Sequence, residues 1–259
     1  MNNRKQQLEA FSKLLDIMDE IREKCPWDQK QTMQSLRHLT IEETYELGDA
    51  ILDNDLLEIK KELGDLLLHI VFYGKIASET NTFDIADVIQ NINQKLVYRH
   101  PHVFGNTEAK TEAEVAKNWE MLKLKEGNKS VLEGVPKSLP ALIKASRIQD
   151  KVAAVGFDWE KPEQVLEKVK EEIEELQAEI SANKPAEIEK EFGDVLFSLI
   201  NYARFLKVDP ESALERTNKK FLNRFKFLEK EAKKEGKLLT EMTLDQMNIH
   251  WENSKKFFK

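Results

Sequence analysis

The sequence has little cysteine, glycine and proline. Cys25 is the only cysteine among 259 residues, which excludes an intrachain disulfide and a cluster of thiolate metal ligands. The chain has 9 glycines and 7 prolines, whereas β-sandwiches and β-barrels need frequent turn residues. Charged residues reach 34%, above the roughly 25% of an average globular protein. This composition favours long helices joined by salt bridges.

The sequence also lacks a long hydrophobic run and an excess of positive charge. Its most apolar segment, LLLHIVFYGKIA, is interrupted by His69 and Lys75 and is too short to span a membrane. The first twenty residues are too charged for a secretory leader. A net charge of −7 disfavours broad binding to the nucleic-acid backbone. We therefore expect a cytoplasmic protein that binds neither membrane nor nucleic acid.

Acidic residues form an internal repeat. The sequence EETYE, which begins at Glu42, matches EEIEE, which begins at Glu171. Sixteen residues after each pentad comes a second acidic motif, ELGD in the first copy and EFGD in the second. One shift of 129 residues relates the five acidic positions of the two copies, which are Glu42, Glu43, Glu46, Glu62 and Asp65, and Glu171, Glu172, Glu175, Glu191 and Asp194. The repeat indicates two homologous modules.

Two further motifs follow the acids in the same order in each copy. They are N-x-K-x-x-x-R and W-E-x-x-K, and their main members are Lys95, Arg99 and Trp119 in the first copy and Lys220, Arg224 and Trp251 in the second. We assign residues 1–125 to the first module, 126–139 to a linker rich in glycine and proline, and 140–259 to the second module. Each module is predicted to be an all-α helical bundle.

The acidic motifs predict a metal site. Residues three or four apart share a helix face, so Glu172 points with Glu175, and Glu191 points with Asp194. A short connection makes the two helices antiparallel neighbours, and the four carboxylates converge. The alternative is a solvated acidic face. However, the helix EFGDVLFSLIN is apolar nearly all round, and a carboxylate on such a helix is costly unless it is paired or bound to metal. All-oxygen ligation suits Mg²⁺ or Mn²⁺.

The two copies differ beyond the acids. In the second copy the polar stripe continues through Ser198 and Asn201, whose hydroxyl and amide suit contacts with a sugar or base. In the first copy these positions are His69 and Phe72, and Phe72 closes that end of the site. We interpret His69 as a hydrogen-bonded core histidine and expect the second module to be the working site. A dinuclear iron centre needs Glu-x-x-His, a motif that none of the five histidines completes.

A basic pair on a later helix suggests a phosphorylated substrate. Lys220 and Arg224 stand four residues apart and share a helix edge, from which arginine can grip phosphate with two donors. The alternative is again a solvated helix face. The sequence has no Walker-type glycine-rich loop, so any phosphates are expected to be held by metals and side chains.

The two-copy arrangement of EExxE and ExxD resembles the MazG family of nucleoside triphosphate pyrophosphohydrolases. The segments KCPWDQKQT and YRHPHVFG are similar to signatures of its tandem-domain bacterial members. The resemblance implies an all-α fold, a homodimer, and Mg²⁺-dependent hydrolysis of nucleoside triphosphates to a nucleoside monophosphate and pyrophosphate. It also implies that the second module is catalytic and that the first supports assembly.

The resemblance further implies roles for individual residues of the second module. The metal ligands are Glu172, Glu175, Glu191 and Asp194. Lys168, Lys220 and Arg224 hold the triphosphate, Trp251 faces the base, and Glu171 supports a metal ligand or orients the water. The polar stripe, rather than the resemblance, adds Asn201 as a further nucleotide contact, and Glu171 is counted with the nucleotide contacts. Either Glu171 or Glu172 accepts the proton of the attacking water. Glu187 stands where the family pattern has a lysine, and the first-module counterparts leave a second active site open.

Two other functions fit the same motifs. One is a narrow house-cleaning enzyme for dUTP, dCTP or a modified nucleotide, in place of an enzyme with broad specificity. The other is a non-catalytic helical module that senses nucleotides or binds a partner protein.

Overall fold

A computed structural model describes residues 3–126 and 130–258, and within them all side chains except those of residues 113 and 123–125. The described residues form eleven α-helices, two short 3-10 helices and no strand, so the all-α prediction is confirmed. No helix among them combines the length and the apolarity that crossing a membrane requires. Part of the predicted linker, including Gly127, lies outside the described residues.

The chain divides into two compact units, Met1–Glu108 and Ala109–Lys259. The described residues of unit 1 form the α-helices α1 (Arg4–Lys24), α2 (Met33–Leu52), α3 (Leu56–Ser78), α4 (Ile85–Arg99) and α5 (Pro101–Phe104). Those of unit 2 form α6 (Glu112–Lys125), α7 (Ala141–Ala154), α8 (Pro162–Ser181), α9 (Pro185–Phe205), α10 (Pro210–Lys234) and α11 (Leu244–Ser254). The 3-10 helices are Asp28–Lys30 and Leu239–Glu241.

Helix α6 packs with unit 2, although the repeat assigns it to the first module. A buried ion pair explains this placement, because Lys151 Nζ on α7 lies 3.0 Å from Glu120 Oε2 on α6. The same Nζ donates to the main-chain carbonyl of Val131 at 2.8 Å. Separating a buried ion pair leaves uncompensated charge in the interior. The border between compact units therefore differs from the module border predicted at residue 125, which remains a prediction about the repeat.

Local signals set the ends of the site-forming helices. In unit 1, Thr32 and Ser35 form a reciprocal capping box at the start of α2, and Asp55 accepts hydrogen bonds from two N–H groups at the start of α3. In unit 2, prolines begin α8, α9 and α10, because proline fits the first helical turn without losing a hydrogen bond. These residues thus set where each of the site-forming helices begins.

The same turn connects the helix hairpins of both units. Asn54 between α2 and α3 has φ of 55°, and Asn183 between α8 and α9 has φ of 51°. Asparagine tolerates this left-handed conformation better than most residues. The two asparagines are 129 residues apart, so the repeat extends to the turn. The predicted antiparallel hairpins are present in both units, and α8 packs against α9 as α2 packs against α3.

A cluster around Arg22 fastens α1 to the end of α3 in unit 1. Arg22 donates to both carboxylate oxygens of Glu79, from Nε at 2.7 Å and from Nη2 at 2.9 Å. Its Nη1 donates to the main-chain carbonyls of Asp28 and of Gln31, the latter at 3.1 Å. These hydrogen bonds hold the segment KCPWDQKQT against the bundle. They also hold the pKa of Glu79 below its ordinary value.

We expect Glu79→Gln to lower the free energy of unfolding at pH 7 by about 1 kcal/mol, a value that allows for solvent screening of the pair. Because the folded pKa of Glu79 is lowered, its contribution is present above the ordinary carboxylate pKa and lost as the pH falls through the folded value. The difference from wild type should shrink below about pH 4. Urea unfolding at several pH values measures this difference in the free energy of unfolding.

Glu20→Gln is the matched control, because Glu20 pairs with Lys24 in an exposed i,i+4 pair. Such pairs contribute little to stability. Equal effects of the two substitutions at pH 7 would contradict the role assigned to the Arg22–Glu79 pair.

Candidate active site

The α8–α9 hairpin brings three predicted acidic residues together. Glu172 and Glu175 on α8 and Glu191 on α9 each offer a carboxylate oxygen, and these oxygens lie within 4.8 Å of one another. We call these three residues the unit 2 triplet. Glu172 is buried, Glu191 is half-buried and Glu175 is exposed. The triplet therefore opens to solvent on one side. Asp194, one turn further along α9, is exposed and lies outside the triplet.

Desolvation and mutual repulsion act together on the acids of the triplet. The pKa of Glu175 is raised by desolvation and then by the negative charges of Glu172, Glu191 and Glu171, an effect that Lys168 opposes. Lys168 Nζ lies 2.8 Å from a carboxylate oxygen of Glu171 and 2.8 Å from one of Glu172. Hydrogen bonds with these two glutamates raise the pKa of Lys168, so the lysine remains charged beside the acids. The site thus places closely spaced carboxylate oxygens beside the charged ammonium group of Lys168.

A second lysine, Lys190, lies beside the triplet, and the sequence pattern had not identified it as a site residue. Lys190 Nζ is 3.5 Å from Glu187 and 3.8 Å from Glu191, and the charges of these glutamates raise its pKa. Lys190 therefore supplies a cation one turn away from Glu187, the position where the resemblance led us to expect a lysine. The repeat contained a signal for it, because KELGD and KEFGD place Lys61 and Lys190 at equivalent positions.

Arg224 and Trp251 pack with each other on α10 and α11. The guanidinium of Arg224 lies 5.8 Å from the ring centre of Trp251, and the Phe221 ring lies 5.0 Å from the same ring. Arg224 donates to the main-chain carbonyl of Phe258 from Nε at 2.9 Å and from Nη2 at 2.7 Å. Lys220, one turn before Arg224, is half-buried and forms no ion pair within the described part of the chain. No described contact joins these side chains to the triplet.

Asn201, the remaining predicted nucleotide contact, is held by residues that sequence reasoning missed. Its side-chain oxygen accepts hydrogen bonds from Arg204, and Arg204 also pairs with Asp158. Arg204 stands three residues after Asn201, a spacing that allows contact on a helix. Nothing local indicated Asp158, which lies 46 residues away in sequence.

Unit 1 contains an equivalent group of acids. Oxygens of Glu43, Glu46 and Glu62 lie within 4.8 Å of one another, and we call these residues the unit 1 triplet. Glu62 is fully buried; its Oε1 lies 2.8 Å from Lys61 Nζ, and its Oε2 has no hydrogen-bond partner among the described residues. Burial, followed by the interaction with Glu62, raises the pKa of Glu43. A buried carboxylate oxygen without a donor is the signature of a group that a proton or a cation satisfies.

The other unit 1 counterparts surround this group less completely. Asp65 is half-buried and lies outside the unit 1 triplet, as Asp194 does in unit 2. Glu42 and Lys95 are exposed, and Arg99 is half-buried. His69 is buried as predicted, and burial lowers its pKa. Its Nδ1 lacks the expected hydrogen bond, because no described donor or acceptor reaches that atom.

Apolar side chains replace two polar site residues in unit 1. Leu39 occupies the position of Lys168, and Phe72 occupies the position of Asn201. Phe72 is only 2% exposed and belongs to the core with Met18, Leu36 and Val71, against which Leu39 packs. That end of unit 1 is therefore filled by hydrophobic core, as the sequence predicted for Phe72.

The comparisons with known proteins agree with this arrangement. The MazG nucleotide pyrophosphohydrolase domain matches residues 31–104 and 160–227, and each stretch contains one triplet, which confirms the two-module interpretation. The nucleoside triphosphate pyrophosphohydrolase/pyrophosphatase MazG of Thermotoga maritima is 45% identical over 250 residues, 95% of each chain. The nucleoside triphosphate pyrophosphohydrolase of Escherichia coli K12 is 40% identical over 258 residues, 96% of this chain and 98% of its own. The chain belongs to the MazG nucleotide pyrophosphohydrolase family.

Proposed function

We propose that this protein is an enzyme that hydrolyses nucleoside triphosphates to a nucleoside monophosphate and pyrophosphate. The observation that carries the proposal is the unit 2 triplet, in which three carboxylate oxygens lie within 4.8 Å of one another beside Lys168. Relatives that align with 95–96% of the chain bear the name nucleoside triphosphate pyrophosphohydrolase, which supports the same reaction.

The triplet fits a hard divalent cation. Its donors are all carboxylate oxygens, the ligands that Mg²⁺ and Mn²⁺ prefer. We propose Mg²⁺, with Mn²⁺ as a substitute, held by Glu172, Glu175 and Glu191, and with Asp194 as the fourth predicted ligand. The unpartnered oxygen of Glu62 in the equivalent unit 1 triplet supports this choice, because that oxygen lacks a positive partner. When bound, the cation neutralises phosphate charge and polarises water.

The protein residues have distinct tasks in this reaction. Lys168 and Lys190 place positive charge beside the acids and attract the triphosphate. A water oxygen forms a bond to the α-phosphorus, the bond from the α-phosphorus to the bridging oxygen breaks, and pyrophosphate leaves. Glu171 accepts the water proton, because it lies outside the triplet whereas the oxygens of Glu172 converge within it. Lys168, 2.8 Å from Glu171, holds that carboxylate in place.

We assign turnover to unit 2. Unit 1 has leucine and phenylalanine where unit 2 has Lys168 and Asn201, so Lys61 is the cation that contacts its acids, and it lacks both a counterpart of Lys168 and a polar group for the nucleoside. The unit 1 triplet is suited to holding a cation that stabilises the bundle. We propose broad base specificity. Trp251, the predicted base contact, is half-buried and would stack on the base. Stacking tolerates any sequence, because every base has a π-face.

We also propose a homodimer, because α9 exposes an apolar stripe. Phe192, Leu196 and Leu199 are 43–54% exposed at spacings of four and three residues, which place them on one face of the helix. An exposed apolar patch of this kind marks an interaction surface. Two-fold homodimers are the commonest assemblies that bury one. The expected cytoplasmic location stays a prediction.

Incubation with Mg²⁺ and each common nucleoside triphosphate should yield the monophosphate and pyrophosphate, identified by ³¹P NMR. Reaction in H₂¹⁸O should label the monophosphate, because water attacks the α-phosphorus. Glu172→Gln should lower kcat by about 100-fold or more, since even residues that support a metal ligand contribute about 10–100-fold. Glu43→Gln, at the equivalent position of unit 1, is the matched variant and should retain turnover.

Formation of a diphosphate and orthophosphate would overturn the proposed reaction. Loss of turnover in Glu43→Gln with normal turnover in Glu172→Gln would move the active site to unit 1. Saturable nucleotide binding without product would favour the non-catalytic sensing module.

Thermal unfolding with and without Mg²⁺ tests the cation. Because desolvation and like charges raise the pKa of Glu175 in the folded protein, its stabilising effect is present at low pH and is lost as the pH rises through that pKa. In EDTA at pH 8, Glu175→Gln should therefore raise Tm by about 1–3 °C. Saturating Mg²⁺ should raise the wild-type Tm by about 5 °C and that of the variant by much less.

Glu174→Gln provides the control on the same helix, because Glu174 is exposed and lies outside the triplet. It should respond to Mg²⁺ as wild type does. An identical Mg²⁺ response of the Glu174 and Glu175 variants would exclude Glu175 as a ligand.

Light scattering should give a mass of about 60 kDa for the proposed dimer, twice the chain mass of 30.1 kDa. Leu196→Lys should shift the protein to the monomer, because it places a charge in the apolar stripe. Leu57→Lys is the control, since Leu57 is 82% exposed and lies in unit 1 rather than on α9. A monomeric wild type at micromolar concentration would contradict the dimer.

A further inference from the structure

Arg204 forms a fork between α9 and the loop that precedes α8. Its Nη1 donates to Asp158 Oδ2 at 2.8 Å, and its Nη2 donates to Asp158 Oδ1. On its other side, Nε and Nη2 donate to Asn201 Oδ1 at 3.1 and 2.8 Å. One guanidinium thus bridges an acid and an amide. Planar two-donor contacts of this kind fix geometry as well as charge.

The fork determines which way the Asn201 amide faces. Arginine has donors and no acceptor, so the Asn201 atom that it contacts is the oxygen. The amide nitrogen, with its two N–H donors, is directed away from the guanidinium and has no hydrogen-bond partner within the described residues. Asn201 is half-buried, so this nitrogen is within reach of a ligand.

Asp158 is itself fixed by the backbone around it. Gly156 has φ of 92°, a left-handed conformation that glycine adopts readily and that turns the chain after α7. Asp158 Oδ1 also accepts the N–H of Trp159 at 2.9 Å. The guanidinium of Arg204 lies 4.8 Å from the Phe205 ring centre. These contacts make the fork a preset feature of unit 2.

Asn201 lies at the distance from the acids where a nucleoside would end. It stands seven residues after Asp194 on one helix and continues the polar stripe of Glu191, Asp194 and Ser198. Seven residues correspond to about 10 Å along a helix axis, and the ten residues from Glu191, the triplet member on α9, correspond to about 15 Å. A triphosphate bound at the unit 2 triplet would therefore direct its sugar and base towards Asn201. This step rests on the proposed function.

Unit 1 lacks this arrangement. The position of Arg204 is occupied by Lys75 and that of Asn201 by Phe72. Lys75 pairs with Asp19 at 2.6 Å, a single contact from an ammonium group that does not direct an amide. The fork is a property of the unit to which we assign turnover.

We propose that Arg204, held by Asp158, is a positioning residue that makes Asn201 present N–H donors to the nucleoside, so that the enzyme favours nucleotides with a hydrogen-bond acceptor at that point. The acceptor belongs either to the base, as a carbonyl oxygen, or to the sugar, as the 2′-hydroxyl oxygen. Three substrate pairs distinguish these sources. UTP against CTP and ITP against ATP exchange a carbonyl for an amino group, and ATP against dATP removes the 2′-hydroxyl.

The experiment measures kcat and KM of the full-length protein with Mg²⁺ for these pairs. Asn201→Asp keeps the contact with Arg204 and replaces the donors by an acceptor, whereas Arg204→Lys removes the fork and frees the amide to rotate. Both should reduce the preference within one type of pair, base or sugar, by about 2- to 10-fold, the effect of one hydrogen bond. The change should appear in KM, with kcat within about twofold of wild type.

Arg22→Lys is the matched control, because it removes a two-donor arginine–carboxylate pair from unit 1 and should leave all substrate ratios unchanged. Unchanged ratios in Asn201→Asp would overturn the proposal. Changed ratios in Asn201→Asp but not in Arg204→Lys would overturn the role of Arg204. If Arg204→Lys does not fold, as judged by circular dichroism, Asp158→Asn replaces it with the same expected result.

Equilibrium binding separates this proposal from the proposed reaction. Non-hydrolysable α,β-methylene analogues of the same nucleotides are titrated with Mg²⁺ by calorimetry, and their Kd ratios should follow the same pattern in the same variants. A wild type that releases no pyrophosphate but shows these Kd ratios would refute the reaction and support the positioning. If instead the wild type releases pyrophosphate and the Kd ratios do not respond to Asn201→Asp, the reaction would be supported and the positioning role refuted.

Discussion

Electrostatic crowding at the α8–α9 hairpin is the constraint on which the rest of unit 2 depends. Three carboxylate oxygens share a volume only a few ångströms wide, and Glu172 is buried there. Like charges in a partly desolvated site are costly. The chain offsets this cost with Lys168 and Lys190, which flank the triplet from the two helices of the hairpin. Burial of apolar residues on both helices, among them Val169 on α8 and Val195 on α9, favours the hairpin despite the repulsion, and Asn183 in a left-handed turn connects the two helices.

Unit 1 meets the same constraint with different neighbours. The oxygens of its triplet also lie within 4.8 Å of one another, and Lys61 contacts Glu62 from the position equivalent to Lys190. Around these acids, however, unit 1 has a leucine and a phenylalanine at positions where unit 2 has polar residues, and both pack in the core. Burial of these side chains contributes to folding stability and removes groups that would contact a nucleotide. Both units thus have an acidic triplet. In unit 1 the neighbouring side chains contribute to the core, whereas in unit 2 they are polar groups along α9.

Much of this arrangement was readable from the sequence because it depends on contacts that are close along the chain. Residues three or four apart on a helix must share a face, so the pairing of Glu172 with Glu175 followed from spacing alone. A short connection between two apolar helices requires an antiparallel hairpin, so the convergence of Glu191 with that pair was also predictable. Comparison of the two copies then identified Phe72 as the residue that closes the first site.

The local sequence pattern did not indicate which side chains would be partners of one another. The contact of Arg224 with the triphosphate stays a prediction, and the structure adds that its guanidinium donates to the carbonyl of Phe258, 34 residues later. Helix α6 follows the first copy in sequence, and the buried pair of Glu120 with Lys151 packs it with unit 2. Asp194 shares a stripe with Glu191, yet its carboxylate lies outside the triplet. A helical pattern gives the face on which a residue lies but not the partner that it meets there.

The sequence by itself determined the all-α class, the repeat at a shift of 129 residues, the two hairpins and the acids that meet in them. Periodicity, capping and turn residues act over a few residues, and each leaves its mark in the local sequence. Only the tertiary structure decided that Asp158 would hold Arg204, that Arg204 would orient Asn201, and that Lys151 would capture Glu120. Such pairs form when packing brings distant segments together, and many arginines, lysines and acids in a chain that is 34% charged have the chemistry to form them.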